Sequence, residues 1–156
     1  LNGPLSGKRV YIDTNIFAYL ALAHPDYYAK CREVLEALVS GDFEGYCSYL
    51  VLFELSGALS KYSFDAAYEA AVAYLELPIE MVEPSSETLD FAREIARQAR
   101  VTYDALHAAL AAVAGVQVVV TEDTRDWSRI ERVWDKIVER YGVGGLLIFS
   151  PTRGYL

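Results

Sequence analysis

Four carboxylates stand where chemistry can be done: Asp13, Glu54, Asp104 and Asp123. Each has an ordinary reading by itself. Asp13 can cap a helix, Glu54 can edge an apolar face, Asp104 can be a first-turn charge, and Asp123 can belong to a turn. Their shared placement argues for more, because each falls just after a short apolar run or at the start of a helix-like stretch. Converging carboxylates repel one another, and such a set persists when a divalent cation neutralises it. Ligands that are all oxygen suit Mg²⁺ or Mn²⁺ rather than zinc. Such a cation lowers the pKa of a bound water and stabilises charge on an attacked phosphorus. Carboxylates, metal and water suffice for phosphodiester hydrolysis, with no Ser/His/Asp triad. Glu54 carries a further demand. Among Leu52, Phe53 and Leu55, a buried carboxylate is costly unless a cation pairs with it.

The elements that must position these groups follow from hydrophobic pattern. Val10-Tyr11-Ile12, Gly45-Tyr46-Cys47-Ser48, Val116 to Thr121 and Leu146 to Phe149 read as short buried strands, with Ile79 to Val82 a weaker one. Thr14-Asn15 caps a helix through Leu22, and further helices run from Pro25 to Ser40, Tyr49 to Lys61 and about Phe64 to Leu75. Ser85 caps a helix from Ser86 to about Arg97, and Thr102 caps one from Tyr103 to Ala114. A polar loop is expected from Glu122 to Trp127, then an amphipathic helix from Ser128 to Tyr141. Short apolar strands alternating with helices indicate an α/β fold, its parallel sheet covered on both faces. In such sheets the ligand site lies beyond the carboxyl ends of the strands, where these carboxylates fall.

Composition narrows the class. At 156 residues and 53% hydrophobic content, the chain is one domain's worth with a real core. A single domain over 8–150 is expected, with residues 1–7 as an N-terminal lead and 151–156 as a C-terminal tail. The net charge of −8 excludes a wholly basic nucleic-acid grip. That charge is uneven: residues 1–92 hold 14 acidic and 5 basic side chains, and residues 93–156 hold 8 and 9. A polyanion would find the second half friendlier. Arg93, Arg97 and Arg100 recur at helical spacing on one face, and Arg125, Arg129, Arg132, Lys136 and Arg140 recur near the last helix. Both sets suit either a solvated face laced with salt bridges or phosphate contact beside the acidic pocket. No apolar run reaches membrane-spanning length and no signal-peptide pattern opens the chain, so a cytoplasmic protein is expected. Cys31 and Cys47 read as buried thiols. His107, one turn after Asp104, can pair with it, but packing is the commoner role of such a residue. After strand one stands Asp13-Thr14-Asn15-Ile16-Phe17, not the Gly-x-Gly-x-x-Gly of a dinucleotide-binding fold, and no P-loop is present.

Four segments in order resemble the PIN domain, the nuclease family that includes the VapC toxins of toxin–antitoxin pairs. They are Val10 to Asn15, Tyr49 to Leu55 with Ser48 before it, Asp104 to Ala111, and Val119 to Trp127. The resemblance spans Val10 to Phe149. It implies a three-layer α/β/α sandwich around a five-stranded, mainly parallel sheet, and a Mg²⁺- or Mn²⁺-dependent ribonuclease. It carries over Asp13, Glu54, Asp104 and Asp123 as catalytic, metal-binding residues, with Asp126 as an outer acidic candidate. Thr14, Asn15, Ser48 and Thr121 become candidates for hydrogen bonds that orient the carboxylates. Arg93, Arg97, Arg100, Arg125 and Arg129 become RNA-contact candidates. The implied partners are RNA, a small antitoxin that blocks the acidic site, and a second copy in a homodimer. A non-catalytic metal-, RNA- or protein-binding module and a nuclease of RNA processing are the alternatives. The chain departs from the family pattern at Trp127, where Phe is common, and in its longer C-terminal part.

Overall fold

A computed structural model describes residues 3–156. The first two residues of the expected N-terminal lead lie outside the described residues. The elements run β1 (Arg9–Ile12), α1 (Thr14–Ala21), α2 (Tyr28–Val39), β2 (Glu44–Ser48), α3 (Tyr49–Ser60), α4 (Phe64–Glu76) and β3 (Ile79–Val82). They continue with α5 (Ser86–Ala99), α6 (Tyr103–Val113), β4 (Val118–Val120), α7 (Thr124–Tyr141), β5 (Leu147–Ser150) and β6 (Gly154–Tyr155).

The strands form one sheet in the order β3-β2-β1-β4-β5-β6. All neighbours pair in parallel except β5 and β6. Val10, Tyr11, Ile12 and all of Val118–Val120 are fully buried, as an apolar run without alternation requires in a sheet covered on both faces. Helices pack in two sets, α1 to α4 and α5 to α7, and flank this sheet. β3 is the weakest strand by pattern because it lies at the sheet edge and is only partly buried.

The chain leaves β1 in one direction and β4 in the other, so β1 and β4 flank the point where strand order reverses. In such sheets a ligand binds there, beyond the carboxyl ends of the strands. Register brings the two ends level: Ile12 pairs with Val120, and the Asp13 backbone N–H donates to the Val120 carbonyl at 3.0 Å.

Three local expectations need correction. The helix after strand one is capped by Asp13, not by Thr14-Asn15; the Asp13 carboxylate accepts from the Thr14 N–H at 2.8 Å. Thr102 precedes α6 without a side-chain cap bond. The polar stretch from Glu122 to Trp127 is not all loop, because α7 starts four residues earlier than expected. Asp123 caps it, and Trp127, Ile130, Trp134 and Ile137 extend its buried stripe backwards by one turn.

The sheet also has six strands rather than five. Gly154, at φ 86°, lets the chain reverse so that Tyr155 pairs with Phe149. The tail is fastened at both ends. The Tyr155 hydroxyl donates to the Pro4 carbonyl at 2.7 Å, and Glu122 accepts from the Ser150 hydroxyl and the Thr152 N–H and hydroxyl. Cys31 and Cys47 are buried and unpaired.

Candidate active site

Asp104, Asp123 and Asp126 each offer a carboxylate oxygen within 4.8 Å of the others. Asp123 and Asp126 are the cap and third residue of α7, so one helical turn stacks them on the same face. Asp104 comes from the first turn of α6. A helix N-terminus favours an ionised carboxylate by about 0.3–1 kcal/mol. That preference loses here. Burial, with the charges of Asp13, Asp123 and Asp126, pushes the Asp104 carboxyl up to about 8. The frustrated charge is what a cation would relieve.

Asp13 is 3% exposed and held by four donors. Its Oδ1 accepts from Thr14 N–H, and its Oδ2 accepts from the Thr121 hydroxyl at 2.8 Å, the Trp127 indole N–H at 3.0 Å and the Asn15 amide at 3.2 Å. With Oδ2 saturated, Oδ1 is the oxygen with spare capacity. Asp13 falls outside the set of three mutually close oxygens, yet its charge is the largest single one raising Asp104.

Glu54 is positioned differently. Its Oε1 accepts from the Thr14 hydroxyl at 2.9 Å and meets His107 Nε2 at 2.5 Å. His107 is the partner that burial of Glu54 demanded, and it is a cation whenever its ring is protonated. Burial raises the Glu54 pKa, but the His107 bond and charge, with the Thr14 bond, bring it below its ordinary value. Burial lowers His107, but Glu54 and the charge of Asp13 outweigh that and raise it. His107 therefore pairs with Glu54, not with Asp104. Behind it, His107 Nδ1 meets the Tyr11 hydroxyl at 2.8 Å, which meets the Ser48 hydroxyl at 2.8 Å. A buried chain of hydrogen bonds thus links β1, β2, α3 and α6. Ser48 reaches Glu54 only through Tyr11 and His107.

Of the remaining candidates, Asn15 bridges Asp13, Thr121 and the Glu122 N–H, while Thr121 also accepts from the Asp123 N–H. Asp126, on the first turn of α7, joins Asp104 and Asp123 in the acidic cluster. Arg129 Nη1 lies 3.7 Å from Asp126. Arg93 pairs with Asp90 and Arg97 with Glu94 along α5, Arg100 closes that helix, and Arg125 is exposed on the first turn of α7.

Sequence reasoning did not assign Tyr11 or Trp127 to the site. Tyr11 reads as one more apolar residue of a buried strand. Trp127 carried a signal, since it stands where the family resemblance leads one to expect Phe, and its indole N–H donates to Asp13.

A family model described as PIN domain matches residues 10–133. The chain belongs to the PIN domain family. Among solved structures it is similar to VapBC2 from Rickettsia felis, bound to a DNA fragment from its promoter, at 20% identity and a TM-score of 0.65. That match covers 91% of this chain and 98% of that one. It is similar to DNA-bound VapBC from Salmonella typhimurium at 21% identity and a TM-score of 0.65, covering 92% and 98%. It is also similar to VapC20 of Mycobacterium tuberculosis, a Sarcin-Ricin loop cleaving toxin, at 20% identity and a TM-score of 0.63, covering 76% and 93%. At these identities the likeness is one of fold. No curated protein matches the chain.

Proposed function

We propose that this protein is an endoribonuclease dependent on Mg²⁺ or Mn²⁺, acting as the toxin of a VapBC-type pair. The observation that carries the reading is the cluster of Asp104, Asp123 and Asp126 at the strand-order reversal, with Asp104 held up to about 8. Three carboxylate oxygens and no nitrogen or sulfur ligand suit a hard cation. Asp104, Asp123 and Asp126 would hold it, with Asp13 Oδ1 beside them. When bound, such a cation supplies an activated water and offsets charge on the attacked phosphate.

The chain's own residues do the positioning. Thr121, Asn15 and Trp127 lock the Asp13 rotamer, so it need not reorganise during the reaction. The Asp123 cap fixes the carboxylates of α7 relative to those of β1 and α6. His107 holds Glu54 ionised at the margin of the acidic pocket, with Thr14 as second anchor. The similar solved structures include toxin–antitoxin complexes, which supports a small antitoxin as partner. The acidic pocket is suited to receive its Arg or Lys side chain. A homodimer in the cytoplasm completes the proposal. Among the described residues, no helix is long and apolar enough to cross a membrane.

The test is cleavage of a pool of structured RNAs in Mn²⁺, Mg²⁺ or EDTA, with Asp13→Asn and Asp104→Asn as controls. Metal-dependent cutting lost in both variants supports the proposal. Metal binding without cutting of any RNA points to the non-catalytic module instead. Copurification of a small protein when the neighbouring reading frame is co-expressed tests the antitoxin.

A further inference from the structure

Beside the acidic cluster lies a shallow groove of about 330 Å³, lined by Gln98, Ala99, Arg100, Arg129, Arg132 and Val133. It forms where the end of α5 meets α7. Three of its six lining residues are arginines, in a chain of net charge −8. Arg129 and Arg132 are neighbours one turn apart on α7. Arg129 is also the link to the acidic site, through its ion pair with Asp126.

The other basic residues of α5 stand in exposed ion pairs, as Arg129 does on α7. Arg93 and Arg97 are paired with Asp90 and Glu94. Arg100 and Arg132 have no carboxylate within ion-pairing distance among the described residues. Arg100 also occupies a costly place. It closes α5 in the left-handed conformation, at φ 58°. Gly or Asn is the usual residue there, and a Cβ in that conformation costs about 1–2 kcal/mol. The chain accepts that cost, and Arg100 lines the groove.

We propose that this groove binds the phosphate backbone of a single RNA strand next to the bond being cut. Arg100, Arg129 and Arg132 contact its phosphates. The inference rests on the nuclease reading for the identity of its occupant. Guanidinium groups match phosphate oxygens in bidentate fashion. The groove has no aromatic lining on which a base could stack, so it holds the strand without reading it. Cations that crowd together are stabilised by a polyanion, and the cluster beyond Asp126 is where that strand's next phosphate would meet the metal ligands.

The experiment measures fluorescence anisotropy of a short labelled single-stranded RNA of mixed sequence. The protein is the full chain carrying Asp104→Asn, in EDTA, so binding is read without cleavage. The test variant adds Arg100→Ala and Arg132→Ala. The control adds Lys30→Ala and Arg32→Ala, which removes the same charge from exposed ion pairs on α2. The groove variant should bind about tenfold more weakly. Its slope of log affinity against log salt should fall by about 1.4, for two lost phosphate contacts at about 0.7 each. The control should stay within about twofold, as loss of general charge alone would predict at moderate salt. Equal losses in both variants, or no loss in the groove variant, would overturn the proposal. Groove-dependent binding with no cutting by the wild type in Mn²⁺ would sustain the groove and overturn the nuclease reading. Cutting by the wild type with groove-independent binding would do the reverse.

Discussion

Asp104→Asn should stabilise the metal-free protein while abolishing its response to metal. The folded-state pKa of Asp104, about 8, is raised above the ordinary value of 3.8. A raised value means the folded state binds the proton more tightly than the unfolded chain does. Asp104 therefore costs nothing in acid, and its cost grows as pH rises from about 4 towards 8. At pH 7 the gap is roughly three pH units, each worth about 1.4 kcal/mol, which sets a ceiling near 4 kcal/mol. Asp104 keeps partial solvent exposure, and screening reduces the expected gain to about 1–3 kcal/mol. Asn removes the charge at nearly constant volume. For a domain of this size the melting temperature in EDTA should rise by about 3–10 °C at pH 7, and by much less at pH 4. The wild type should regain stability in Mn²⁺, by about 2.7 kcal/mol at a hundredfold excess over Kd, and the variant should not. Calorimetry at both pH values, with and without Mn²⁺, reads all four numbers. A variant less stable than the wild type in EDTA at pH 7, or one stabilised as much by Mn²⁺, would refute the charge-frustration argument.

Trp127→Phe removes one donor from Asp13 and little volume. Cleavage should slow about tenfold with a stability loss near 1 kcal/mol, checked by single-turnover kinetics beside a melting curve. His107→Gln strips the partner from Glu54 and should destabilise by about 2–3 kcal/mol near pH 6. Because His107 is raised in the folded state, its contribution is complete below pH 6.5 and fades as pH rises through its folded value. Urea unfolding at pH 6 and pH 9 should therefore show the variant's deficit shrinking in base. Glu122→Ala frees the turn at Ser150 to Arg153. Amide hydrogen exchange should rise in β6 while β1 and β4 stay protected. Mn²⁺ affinity should weaken as pH falls below about 8, because the metal competes with the Asp104 proton. Titration calorimetry across that range reads the proton release directly.

The local layout was legible because it depends on neighbours in the chain. Unbroken apolar runs such as Val118–Val120 are buried on both faces, and the stripe on α5 marks its packed side. Asp13, Asp104 and Asp123 each stand at a helix start, where a carboxylate is locally favoured, so their positions could be read without knowing the fold. The start of α7 was misplaced for a local reason as well, since the polar run Glu122 to Asp126 hides a cap that only the buried Trp127 reveals.

What tertiary structure decided is which of these groups meet. Asp13 and Thr121 are 108 positions apart and touch only because β1 pairs with β4 in one register. No periodicity encodes that choice. Glu54 needs a partner once buried, and that partner, His107, comes from another helix 53 positions away. Asp126 meets Asp104 because the first turn of α7 lies beside that of α6. Arg100 and Arg132 lie in one groove because α5 packs on α7. Residue types determine what chemistry is available. Strand register and helix packing, which act between distant parts of the chain, determine which charges share a site and which are neutralised before they reach it.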